Sequence, residues 1–180
     1  GPVATLDLGA LNGANGFRVQ GLALNDHSGI SVSGVGDFNG DGFEDFIIGA
    51  CDADPAARSG AGSSYLVFGK ASFSADFDLS TLDSANNGLS GFRIDGVALN
   101  DNSGKSVAAA GDVNGDGYGD VLIGAPASDV NGNNSGASYL LFGTAKAFTS
   151  PLALSSLDGH LGLRFDGRPS AGSVNDLAGS

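Results

Sequence analysis

The sequence predicts an all-β protein built from four-stranded blades of the β-propeller type, and three observations carry that prediction. The chain repeats itself at a fixed interval, and internal periodicity of this length is the mark of blade and array architectures. Its apolar runs are four to six residues long and rich in β-branched side chains, too short for helices. Glycine makes up 31 of the 180 residues, with Ser, Asn and Asp clustered between the apolar runs, as tight turns between short strands require.

The repeat has two parts. The longer one reads GFRVQGLALNDHSGISVSGVGDFNGDGFEDFIIGA at 16–50 and GFRIDGVALNDNSGKSVAAAGDVNGDGYGDVLIGA at 91–125, with SSYLVFGK at 63–70 returning as ASYLLFGT at 137–144. The shorter part recurs three times, at 6–21, 77–96 and 152–167, and carries an L-x-x-L signature (Leu8/Leu11, Leu79/Leu82, Leu154/Leu157) that predicts one short helical turn docked on a neighbour. GFRVQG and GFRIDG alternate apolar with polar residues between glycines, as an exposed edge strand does. ISVSGVG, FEDFIIGA and SYLVFG complete a set of four strands per repeat. Four short antiparallel strands per unit describe a propeller blade, and an open two-sheet array or solenoid is the rival arrangement. Gly1-Pro2 resembles a protease-cleavage scar. The expected organisation is then a terminal half-repeat at 3–24, repeats at 25–99 and 100–167, and a tail or truncated next repeat at 168–180.

The hairpin between the second and third of these strands is acidic in both copies: DFNGDGFED at 37–45 and DVNGDGYGD at 112–120. Carboxylate or carboxamide oxygens fall at positions 1, 3, 5 and 9 (Asp37, Asn39, Asp41, Asp45; Asp112, Asn114, Asp116, Asp120), and glycine stands at position 6. Position 7, Phe43 or Tyr118, can offer a backbone carbonyl. Alternating oxygen donors around a glycine bend are the spacing of a calcium loop, and an all-oxygen donor set selects a hard cation. An EF-hand is excluded, because position 12 holds Ile48 or Ile123 inside an apolar strand where that motif needs a bidentate glutamate. Asn, Asp and Gly also favour plain turns. Two copies that agree at five side-chain positions while their neighbours drift (Phe38/Val113, Glu44/Gly119) favour the ion, as does the mutual repulsion of three carboxylates in one loop.

Bulk composition excludes several functions. Twenty acidic against eight basic residues leave a net charge of −12, which argues against nucleic acid and anionic lipid. No apolar run approaches the ~18–20 residues of a membrane span, so no membrane insertion is expected. Cys51 is the only cysteine, and no intrachain disulfide is possible. Neither a nucleophile elbow, a phosphate loop nor a serine-histidine-aspartate cluster occurs, so no enzymatic activity is expected. His27 and His160 stand at non-equivalent places and read as loop residues, Cys51 as a small residue behind a strand, and the recurring Arg18, Arg93 and Arg164 as partners of neighbouring acids. The turns Asn25–Gly29 and Asn100–Gly104 fit either plain turns or hydrogen bonding to an adjacent blade. The loops 52–62 and 127–136 vary most, as loops that are free or bind partners do.

YLVFG and YLLFG, IIGA and LIGAP, and the twice-used D-x-N-G-D-G-x-x-D hairpin together resemble the FG-GAP repeats of the integrin alpha-chain propeller and of related bacterial surface proteins. The resemblance spans residues 6–167. It implies propeller-type blades, extracellular or cell-surface residence, and two calcium ions, held by Asp37, Asn39, Asp41, the Phe43 carbonyl and Asp45, and by Asp112, Asn114, Asp116, the Tyr118 carbonyl and Asp120. Cys51 departs from the pattern by standing where the second copy has Pro126. Two repeats do not close a ring of four to eight blades, so the chain is expected to be a partial propeller or to complete a ring by self-association. The function expected is a structural or adhesion module for a protein or glycan ligand. The alternative is a non-catalytic accessory propeller of a surface hydrolase.

Overall fold

The computed structural model describes residues 7–83 and 88–168. The expected scar at 1–2 and all but Arg168 of the expected tail lie outside them. The strands are β1 (Arg18–Gln20), β2 (Ser31–Gly36), β3 (Asp45–Ala50), β4 (Ser63–Val67), β5 (Asp76–Asp78), β6 (Gly91–Asp95), β7 (Ser106–Gly111), β8 (Asp120–Ala125), β9 (Ala137–Leu141), β10 (Leu152–Ala153) and β11 (Gly162–Asp166). Three of the short 3-10 turns, Leu8–Ala10, Leu79–Leu82 and Leu154–Ser156, fall on the L-x-x-L signatures. Among the described residues no helix is long and apolar enough to cross a membrane.

Two blades form. In the first, β2, β3, β4 and β6 pair antiparallel in that order; in the second, β7, β8, β9 and β11 do the same. Each blade therefore takes its fourth strand from the G-F/L-R segment that follows it in sequence. Between β9 and β11 the chain turns back, and β10 adds a short parallel strand outside β6, with Leu152 opposite Ile94. The same geometry recurs at the other end of the chain, where β5 lies parallel to β1 with Asp76 opposite Arg18. By repeat position β1 is the outer strand of a preceding blade. Both blades are all-β units of propeller type, and the two stand side by side without closing a ring.

The fourth strand departs from the expected exposed edge. In β6 Phe92 and Ile94 are fully buried, because β10 covers one edge and the second blade covers the face. In β11 the equivalent Leu163 and Phe165 are exposed. One pattern of alternation thus serves both settings, and only the neighbour decides between them.

The main core lies between the blades. Phe38, Ile47, Leu66, Phe92 and Ile94 of the first meet Val121, Ile123, Tyr139 and Leu141 of the second, with Phe148, Leu152 and Leu154 closing the outer side. The Phe92 and Phe148 rings stack at 4.6 Å between centroids, and Phe38 tilts against both at 6.0 and 5.9 Å. A second cluster forms on the opposite face of the first blade, where Ile48, Tyr65 and Val67 meet Phe77, Leu79 and Leu82. There Phe17 beside β1 stacks on Phe73 at 4.2 Å.

The three arginines of the repeat pair with acids. Arg18 meets Asp76 at 2.7 Å, Arg93 meets Asp95 at 2.7 Å and Asp83 at 3.1 Å, and Arg164 meets Asp166 at 2.7 Å. The Asn100–Gly104 turn hydrogen-bonds the first blade: Asn100 N donates to the Ser59 carbonyl, Asn102 N to Gly60 and Ser103 N to Ala61. Loop 52–62 is consequently an inter-blade contact and not a free loop. Cys51 is buried at the end of β3.

Candidate metal centre

Both acidic hairpins close the β2–β3 and β7–β8 turns, each just past a register shift at Gly34/Gly36 or Ala109/Gly111. The bend needs a left-handed residue at position 6. Gly42 and Gly117 have φ of +89° and +92°, with open space where a Cβ would stand, so conformation and not crowding demands glycine.

The two loops carry the same hydrogen bonds. Asp37 Oδ1 accepts from Gly40 N at 2.7 Å and Asp41 N at 3.1 Å, while its Oδ2 accepts from Gly42 N at 2.9 Å. Asp112 repeats this with Gly115 N at 2.7 Å, Asp116 N at 3.0 Å and Gly117 N at 2.9 Å. Asn39 and Asn114 each accept from the position-5 amide and donate to the position-5 carboxylate. The other oxygen of Asp41 and of Asp116 accepts from the amides of Phe43 and Tyr118. The side chains at positions 1, 3 and 5 are thus gathered inside each turn and held by its backbone.

Position 9 does a separate job. Asp45 is 1 % exposed; its Oδ2 accepts from Phe38 N at 2.9 Å and its Oδ1 from Gly69 N at 2.7 Å. Asp120 does the same with Val113 N at 2.8 Å and Gly143 N at 2.9 Å. This carboxylate ties the start of the acidic turn to the glycine two residues past β4 or β9, joining three strands. Burial raises the Asp45 carboxyl to about 6 against the lowering effect of these two hydrogen bonds, and the nearby Asp41 and Asp37 charges add to the rise. Sequence reasoning missed Gly69 and Gly143 as partners. The signal was present, since the Phe-Gly pair recurs at a near-constant distance after the last aspartate of the loop.

Among the described residues no ion pair involves any of the six loop aspartates. Nor do three Asp, Glu, His or Cys side chains converge into a preformed metal cluster. The donor chemistry fits a hard cation: the side chains contribute oxygens, and each carboxylate oxygen that accepts a single amide, such as Oδ2 of Asp37 and of Asp112, keeps a second lone pair.

The two loops also touch. Gly119 N donates to the Asp37 carbonyl at 3.0 Å, and Thr144 N to the Phe38 carbonyl at 2.8 Å. A Cβ on Gly119 would overlap the Val35 carbonyl oxygen, which explains why glycine replaces Glu44 in the second copy. The first loop is partly covered by the second blade, whereas the second loop is largely exposed.

Four-stranded antiparallel units with duplicated acid-glycine hairpins, stacked face to face, define a β-propeller repeat module. The family model of the FG-GAP repeat matches residues 28–67 and 103–141, spans that take in β2–β4 and β7–β9 with both acidic loops. The chain carries two FG-GAP repeats. Such repeats are generally non-catalytic structural modules.

Proposed function

We propose that the protein is a calcium-stabilised structural module of a secreted or cell-surface protein, serving adhesion or display toward a protein or glycan ligand. The observation that carries this reading is the duplication of a turn holding three aspartates, none of which forms an ion pair among the described residues. Asp37, Asn39, Asp41, the Phe43 carbonyl and Asp45 would hold one ion, and Asp112, Asn114, Asp116, the Tyr118 carbonyl and Asp120 the other. The ion supplies positive charge where the loop concentrates negative charge. The chain's part is to pre-gather those oxygens through the loop amides, and to anchor the turn to the neighbouring strand through position 9. Because the first loop also receives hydrogen bonds from the second blade, rigidity at the hairpin passes to the blade interface. Copies of the module associate with one another at the blade faces that two repeats leave uncovered.

Thermal unfolding with and without millimolar calcium tests the reading. Calcium raises the midpoint of the wild type by mass action. Asp41→Ala and Asp116→Ala each remove one site and part of that rise. An unchanged calcium-dependent rise in both variants refutes it.

A further inference from the structure

We infer that the outer strand β11 of one copy takes the place of β1 on a second copy, joining the copies head to tail by strand exchange. The inference rests on the self-association proposed above and names the segment and contacts responsible.

The repeat itself supplies the argument. A fully partnered outer strand has two neighbours, as β6 does: antiparallel β4 on one side and parallel β10 on the other. Among the described residues the other two outer strands are each half-partnered, in complementary ways. β11 pairs with β9 and has no parallel neighbour; β1 pairs with β5 and has no antiparallel neighbour. One strand placed between β9 of one copy and β5 of another satisfies both sheets. β1 and β11 are interchangeable candidates for that position, being GFRVQ and GLRFD.

Register and charge select the fit. Arg18 stands opposite Asp76 in the β1–β5 pair, and Arg164 occupies the Arg18 position in β11. Placed there, Arg164 meets the second copy's Asp76 while keeping its bond to Asp166, which takes the place of Gln20 opposite Asp78; that like-charge contact falls between exposed residues, where water and salt screen it. Side chains agree as well. Leu163 and Phe165, 41 % and 51 % exposed, take the positions of Phe17 and Val19, which pack on the cluster around Phe46, Phe73 and Leu79. The equivalents of Leu163 and Phe165 in the covered blade, Phe92 and Ile94, are fully buried. β1 is the strand that yields, with three residues against five.

The test exploits one charge reversal made at two equivalent positions. R164E and R18E in the full chain are compared with wild type by light scattering over a concentration series in calcium buffer, with circular dichroism to verify folding. R164E puts like charges together at the exchanged strand and weakens association by roughly tenfold or more. R18E loosens the resident strand from Asp76 and strengthens association by a similar factor. Phe165→Asp, on the exposed edge, weakens it as R164E does. Effects of the same sign in R164E and R18E, or no effect in either, overturn the strand exchange while leaving self-association standing. Wild type and R18E that both remain monomeric throughout overturn both.

Discussion

Asp45→Asn separates the structural and the ionic work of the acidic loop. The carboxylate is buried and accepts two backbone amides, at 2.9 Å from Phe38 and 2.7 Å from Gly69. Hydrogen bonds to a charged group contribute about 1.5–3 kcal/mol each. Even with those hydrogen bonds included, the carboxyl titrates near 6, about two units above its ordinary value, so keeping the charge ionised at neutral pH costs roughly 3 kcal/mol. Asparagine removes the charge but offers one accepting atom, so one amide loses its partner at about 1–3 kcal/mol. The opposing contributions nearly cancel, and without calcium the variant should lie within about 2 kcal/mol of wild type. With calcium the balance changes. At ~10 mM ion and a Kd of ~10⁻⁴–10⁻³ M, each site contributes about 1.4–2.7 kcal/mol, and the variant forfeits one. Urea unfolding at neutral pH, in chelator and in calcium, measures both numbers. Equal destabilisation in the two buffers refutes the ionic role of Asp45, and a loss above ~4 kcal/mol in chelator refutes the offsetting burial cost.

In chelator, stability should fall as pH rises from about 4 to about 6.5, by up to ~3 kcal/mol from this group. A carboxyl raised on folding favours the native state while protonated, and that advantage is lost as the folded value near 6 is passed. Asp76, lowered by Arg18, and Asp78, lowered by the Ser80 amide, act in the opposite sense below about 4. Melting midpoints against pH, with and without calcium, should therefore converge toward pH 4 and separate above it. Gly119→Ala should destabilise by about 1–3 kcal/mol through overlap with the Val35 carbonyl, whereas Glu44→Ala at the equivalent position stays within about 0.5 kcal/mol; chemical denaturation compares them. Phe92→Ala should cost about 3–5 kcal/mol and Leu163→Ala under ~1 kcal/mol, because only the first of these equivalent residues is buried between blades. Similar losses at the two positions would contradict the packing.

Much of this architecture was legible in the residues. Strand identities, the L-x-x-L turns, the acidic hairpins and the arginine–acid pairs all follow from short-range rules of alternation, turn chemistry and repetition, and the structure carries them where those rules put them. The exposure of GFRID was not legible, since its pattern suits an edge, yet β10 and the second blade bury it. The Asn100–Gly104 turn allowed two readings, and only the stacked blades distinguish them. Asp45 and Asp120 read as closing members of an ion loop. Their bonds to Gly69 and Gly143 depend on strands that sequence distance does not bring together.

By itself the sequence determined what each segment is: strand, acidic turn or outer edge, because such preferences are set within a few residues of chain. Which strand completes which blade was decided by tertiary structure, along with which of two identical patterns is buried and which glycine must stay a glycine. The physical reason is that these depend on what lies across a sheet or an interface, and equivalent residues with equal local preferences acquire different neighbours at the two ends of a repeat array.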